Sequence, residues 1–422
     1  MNRLASSLAR GVAHVTGSAL GPYQTAVVRI GTGATWLLFL LREFPHRHEL
    51  YGPDGPWSRE LAGQLVAGNG SFTALLWLDG RAWFETVYAV AVLSAALLVL
   101  GWRTRTSSVL FMVGVLSLQN RSVFVGDGGD NVLHLMSVYL VFTRCGRVWS
   151  LDARREGRAR AARAGGARVR DRTGPVLWSV LGLVLIAAAV AGRLDGDPFV
   201  PALLGGAWLA QALWWLAGRR AQGGWTRQTR TLLDVVANIA HNGALLVIMA
   251  EACLIYATAG WYKVQGARWQ DGTAVYYPLH LDHFSPWPGL AGLLSASGTL
   301  VMLLTYGTVI AQVAFPFTLF NRRVKNVLLA VMITEHAGIA VVLGLPFFSL
   351  AMITADAVFL PTPFLRRLGG RAARVCGRPG RGGLGRAARA RGRLAPGGGG
   401  PAPVPGQRGR EDERRPHVGF GA

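Results

Sequence analysis

Only two lysines stand among 44 basic residues, and one of them, Lys263, closes an apolar run just after Trp261 and Tyr262. The other 42 (44 − 2) basic residues are arginine, so a lysine here is a chemical departure from the chain's habit. An ammonium desolvated in apolar surroundings can lose its proton and act as a neutral base or nucleophile, which a guanidinium cannot do. The same residue can also be read as an interfacial anchor, its stem on apolar chains and its charge among headgroups. Glu251 precedes it by twelve residues. That is about 18 Å along a straight helix, too far for direct pairing, so Glu251 needs a partner from another helix. Trp269 follows in the next polar stretch. A second polar cluster, Gly126-Asp127-Gly128-Gly129-Asp130-Asn131 with His134 beyond it, opens another apolar run. It is too short for a calcium loop and lacks the terminal Glu, so Asp130 reads as an acid at a helix N-terminus. Arg29, Glu85, Glu335, His336 and Asp356 complete the ionisable residues inside apolar runs. A charge at membrane depth is disfavoured by about 2.5–3.5 kcal/mol, so each needs a partner or a task. Interhelical ties and a functional polar interior both satisfy that requirement.

The elements that must hold these residues are membrane helices. Of 422 residues 51% are hydrophobic, and the mean hydropathy is +0.31. The apolar residues fall in runs of the length that crosses a hydrocarbon layer of about 30 Å at about 1.5 Å per residue. Hydropathy predicts spans at 25–41, 83–101, 107–118, 131–143, 175–192, 199–218, 243–260, 297–320, 326–343 and 346–360. The expected fold is all-α, a polytopic transmembrane bundle of about ten spans, or eight if the short pair at 107–143 is re-entrant. Arginine gathers in alternate loops: 103–105, 144–172, 219–230, 322–325 and the C-terminal stretch. By the positive-inside rule these loops, and both termini, are cytoplasmic, in a multi-pass protein of the cell membrane. Lys263 then faces the extracytoplasmic side.

Five regions follow. Residues 1–22 form a cytoplasmic N-terminal segment without the apolar core of a cleaved signal. Residues 23–152 and 230–361 are two halves of a membrane domain. Between them, 153–229 reads as an inserted basic loop with two plain apolar helices, lipid-facing and remote from any site. Residues 362–422 are a basic tail too poor in large apolar residues to order itself. The formal charge of +22 owes +11 (14 − 3) to the stretch from Arg366 onward. A charge distributed in this way points to anionic lipid headgroups at the basic loops and tail, and away from nucleic acid. Cys145, Cys253 and Cys376 lack disulfide or metal-ligand spacing, and no metal is expected.

In order and spacing, several of these segments resemble the horizontally transferred transmembrane domain family, which includes the membrane domain of vitamin K-dependent γ-carboxylase. They are Asn120-Arg121 with Gly128-Gly129-Asp130, Gly146-Arg147-Val148-Trp149-Ser150-Leu151-Asp152, Leu254 to Lys263 with Trp269 and Gly272, and Glu335-His336 with Phe347-Phe348-Ser349. The resemblance covers roughly 23–152 and 230–361. It implies a γ-carboxylase-like lyase chemistry on a reduced quinone of menaquinol or vitamin K hydroquinone type, with Lys263 as the base. Asp130, Asn131 and His134 would be its catalytic neighbours, and Trp269, Glu251 and His336 would contact the cofactor. The large luminal domain of the carboxylase has no counterpart here, so protein carboxylation does not carry over. An exported peptide or protein is an alternative substrate, and a non-catalytic scaffold or maturation partner is the rival to an enzyme.

Overall fold

The computed structural model describes residues 2–375, apart from 123, 168, 170, 195–197 and 220–223. The expected tail from 376 onward, with Cys376, lies outside the described residues. Every regular element among the described residues is helical. Helix α1 (Asn2–Gly17) leads into α2 (Pro22–Glu43), and the short α3 (Arg47–Tyr51) and α4 (Arg59–Asn69) follow. An antiparallel series comes next: α5 (Arg81–Leu100), α6 (Thr104–Gln119) and α7 (Gly128–Phe142). Then α8 (Leu151–Ala164), α9 (Thr173–Val190) and α10 (Phe199–Arg219) precede α11 (Gly224–Gln265), which runs unbroken for 42 residues. The short α12 (Ala267–Gln270), α13 (Tyr276–Leu279) and α14 (Pro288–Ser295) lead to α15 (Gly298–Ala314), α16 (Arg322–Val342), α17 (Pro346–Asp356) and α18 (Thr362–Val375).

Among the described residues seven helices are long and apolar enough to cross a membrane, or eight if the bent pair at 346–374 counts as one span. The two expected spans outside that set are α6 and α7, with 16 and 15 residues. Two boundaries differ from the sequence reading. The inserted segment was expected to end at 229, but α11 already begins at Gly224, because 224–242 carries no Gly or Pro after its start to interrupt a helix. Disorder was expected from 362, yet Thr362–Val375 is helical. Its Phe364, Leu365 and Leu368 recur at helical spacing, a signal hidden by the surrounding arginines.

The core gathers on α2. Val28, Trp36 and Leu40 pack with Tyr88, Ala91 and Ala95 of α5, Met136 and Leu140 of α7, and Ala355 of α17. Small residues let these backbones approach: a β-carbon at Gly114 would sit 2.9 Å from that of Ala91, and one at Gly31 would run into Thr354. Two polar staples fix the register. Arg29, fully buried, donates to the carbonyls of Leu98, Val99 (2.8 Å) and Trp149 (2.8 Å), tying α2 to the end of α5 and to the turn before α8. Asp152 accepts from the backbone of Arg103 (3.0 Å) and Thr104 (2.7 Å), capping α6. Most of the 146–152 motif is spent on this joint, since Ser150 also caps α8 through Ala153 N (2.9 Å).

The α9–α10 hairpin is a peripheral unit, with Trp178 and Trp208 stacked at 4.3 Å and each indole N–H donating to the other's carbonyl, at 2.9 and 3.0 Å. Its outward faces are largely exposed apolar side chains such as Leu183, Val190 and Leu213.

Candidate functional site

A cavity of about 360 Å³ opens between α7, α11, α15, α16 and α17. Its floor is one stripe of α11, because Glu251, Ile255, Ala259 and Lys263 recur every fourth residue and so share a face. The stripe covers three turns, so the cavity is a slot with Lys263 at one end and Glu251 about 18 Å away at the other. Val132 and Leu135 of α7 and Phe348 and Met352 of α17 make apolar walls. Gly128 comes within reach of Phe348, where a β-carbon would meet its ring at 3.5 Å.

At the Lys263 end the polar groups form a chain. Lys263 Nζ donates to Gln312 Oε1, and Gln312 Nε2 donates to Glu335 Oε1 at 2.7 Å. The amide orientation is thereby fixed, oxygen toward the lysine and nitrogen toward the carboxylate. Gln312 is buried, and Glu335 Oε2 makes no hydrogen bond. The Lys263 ammonium position also lies 5.2 Å from the centre of the Trp269 ring. The loop carrying Trp269 is held by Tyr306, whose hydroxyl donates to Gln270 O at 2.7 Å, and by a turn in which Asp271 accepts from Thr273 N at 3.0 Å. That turn needs Gly272, whose φ is +78°. Hydrogen bonds from Thr273 keep the Asp271 carboxyl below its ordinary value.

Midway along the slot, a 3.1 Å hydrogen bond joins the Tyr256 hydroxyl and His336 Nε2, both rings buried and both lining the cavity. Asp356, fully buried on α17, lies beside the same phenol.

The residues singled out by sequence thus divide. Lys263, Asn131, Glu251 and His336 line the slot. Trp269 stands over Lys263 outside the lining. Asp130 turns away as part of a capping box: its Oδ2 accepts from Asp127 N at 2.8 Å while Asp127 Oδ1 accepts from Asp130 N at 3.1 Å, which is the capping role read from the loop. His134 sits on α7 but does not reach the cavity, since Asn131 and Leu135 present the lining face. The partner expected for Glu251 is absent: among the described residues its carboxylate has no hydrogen bond or ion pair and faces the slot. Glu85 and Arg29 are structural, Glu85 paired with Arg47 at 2.8 Å and with His48. Gln312 carried no sequence signal, being an uncharged polar residue inside an apolar run, and Tyr256 stood only within the quoted 254–263 stretch. No group of three or more metal-ligating side chains occurs among the described residues.

Comparisons with family models, with curated proteins and with solved structures each return no match. The site's own chemistry is therefore the ground for a functional reading.

Proposed function

We propose that this chain is a multi-pass protein of the cell membrane, with about ten crossings and cytoplasmic termini, that uses Lys263 as a base on a reduced quinone. The chemistry would be of the γ-carboxylase or epoxidase type, or a peptide-modifying variant of it. The observation that carries the reading is the placement of one lysine at the head of an apolar slot, backed by Gln312 and Glu335 and without a carboxylate in direct contact. A lysine serving only as an anchor would extend toward headgroups; this one lines a cavity.

The lining fits the cofactor. Lys263, Gln312 and Asn131 offer polar contacts for a ring, and Ile255, Ala259, Leu135 and Met352 offer apolar contacts for an isoprenoid tail. When bound, the quinol would supply the reducing power for reaction with oxygen. The chain's part is to accept a hydroxyl proton at Lys263 Nζ, to hold the ring beside it, and to exclude water with apolar walls. The rival reading, a scaffold or maturation partner for an exported peptide, keeps the same fold without turnover.

One substitution separates the two. Lys263→Arg keeps the charge and the apolar stem but removes the accessible neutral form. The base reading expects loss of quinol-dependent oxygen uptake, or of complementation in a deletion strain, with the melting temperature in detergent unchanged. Full function in Lys263→Arg would end it. Extraction of the purified protein for bound quinone is the companion measurement, and Lys263→Ala should lower the yield.

A further inference from the structure

We propose that Gln312 is a positioning residue that spaces Lys263 from Glu335, keeping the amine free for a weakly acidic hydroxyl ligand in the slot. The inference rests on the reading of Lys263 as a base and adds why an amide, rather than an acid, stands next to it.

The geometry is specific. Lys263 and Glu335 are a cation and an anion on different helices, α11 and α16, aimed at the same point. A carboxylate touching the amine would attract its proton at full strength and occupy the N–H groups that a ligand needs. Gln312 of α15 prevents the contact by filling the gap with its amide. Coulombic attraction falls inversely with distance, so one amide width between the charges weakens it without abolishing it. Lys263 keeps one N–H on Gln312 Oε1 and an edge against Trp269, and the rest of the amine faces the cavity that it lines. After Nζ accepts a proton from a ligand hydroxyl, the new positive charge has a distant counter-charge in Glu335 and a near one in the ligand oxygen. Glu335 Oε1 is held by the Gln312 amide at 2.7 Å, and Thr308 stands near the same carboxylate. The titratable groups facing the trio are Tyr256 of α11 and His336 of α16, with Asp356 of α17 beyond them.

The chain's composition makes the test direct. With Lys263 and Lys325 its only lysines, protein made with 13Cε-lysine shows two signals, and Lys325→Arg assigns them. The chemical shift of Lys263 is then followed against pH in detergent, without added ligand, in the parent and three variants. Gln312→Glu puts a carboxylate against Nζ and should hold the ammonium to a pH at least about one unit higher, a tenfold change in proton affinity. Glu335→Gln removes the distant charge and should move the midpoint lower. Gln312→Leu still fills the gap but offers no acceptor, and should lower the midpoint and broaden the signal. If Gln312→Glu does not fold, the other two carry the test. Midpoints of the folded variants coinciding with the parent would overturn the proposal. An absence of bound quinone would count against the cofactor and leave this titration untouched, so the two readings fail separately.

Discussion

At the scale of single residues, Arg29 and Lys263 show why a cation in an apolar run cannot be assigned from its position alone. Both occupy hydrophobic stretches, and in both the charge must be satisfied locally. Arg29 spends its guanidinium on three backbone carbonyls at the end of α5 and before α8, with no space for a ligand. Lys263 spends one N–H on a side-chain amide and keeps a cavity in front of it. Arg29→Met should accordingly destabilise the protein severely, at about 1–3 kcal/mol for each carbonyl left unpaired. Arg29→Lys should recover little, because a single ammonium cannot span the fork that reaches Leu98, Val99 and Trp149 together. Melting of both variants in detergent measures this, and a parent-like melting temperature in Arg29→Met would remove Arg29 from the frame. The contrast also bounds what the sequence could reveal. Lysine against an arginine background marked Lys263, but Gln312 left no trace, because a neutral amide in an apolar run alters neither charge nor composition.

At the scale of elements, the helices were legible because hydropathy and loop charge are summed over many residues. Their ends were less so, since caps and contacts decide them. The acid at the N-terminus of α7, Asp130, could be read from spacing, whereas the start of α11 at Gly224 and the helicity of 362–375 could not. The joint between α5–α6 and the inserted segment depends on Arg103 and Asp171, a salt bridge in which Asp171 also accepts from Gly174 N at 3.2 Å near the start of α9. The Arg103 guanidinium holds the Asp171 carboxyl down at about 2. A carboxyl depressed by folding adds stability that is complete above its unfolded value of about 3.9 and is lost as pH falls through the folded one. The start of α9 should therefore keep its amide protection from neutral pH to about 4 and lose it between about 4 and 2. Asp171→Asn should show the loosened state already at neutral pH. Hydrogen exchange at Gly174 and its neighbours reports both, and equal protection in the parent and Asp171→Asn would mean that the half-exposed pair contributes nothing.

At the scale of the whole molecule, the open choice is whether α6 and α7 cross the membrane, and contacts at their shared tip bear on it. The helices are short for a full crossing, yet the connection between them is tied to the excursion between α2 and α5. Arg121 donates to the carbonyls of Gly52 (3.2 Å), Trp57 (3.0 Å) and Ser58 (3.3 Å), Asn120 donates to Phe72 O (2.8 Å), and Phe124 meets Trp57 edge to face at 5.3 Å. If 42–81 is extracytoplasmic, as the loop charges lead one to expect, the tip is there too, and the short helices traverse the thickness with α2 and α5. The prediction is made on single cysteines in a chain whose native cysteines are replaced by alanine. Asn69→Cys, Phe124→Cys and Asp282→Cys should each react with an impermeant thiol reagent added to intact cells, while Arg158→Cys on α8 should react only after lysis. Phe124 is 79% exposed, so access should be decided by sidedness rather than burial. Labelling of Asn69→Cys and Asp282→Cys without Phe124→Cys would make α6–α7 re-entrant and leave eight crossings in place of the proposed ten. Labelling of Arg158→Cys in intact cells, with the other three silent, would invert the protein and move Lys263 to the cytoplasmic side.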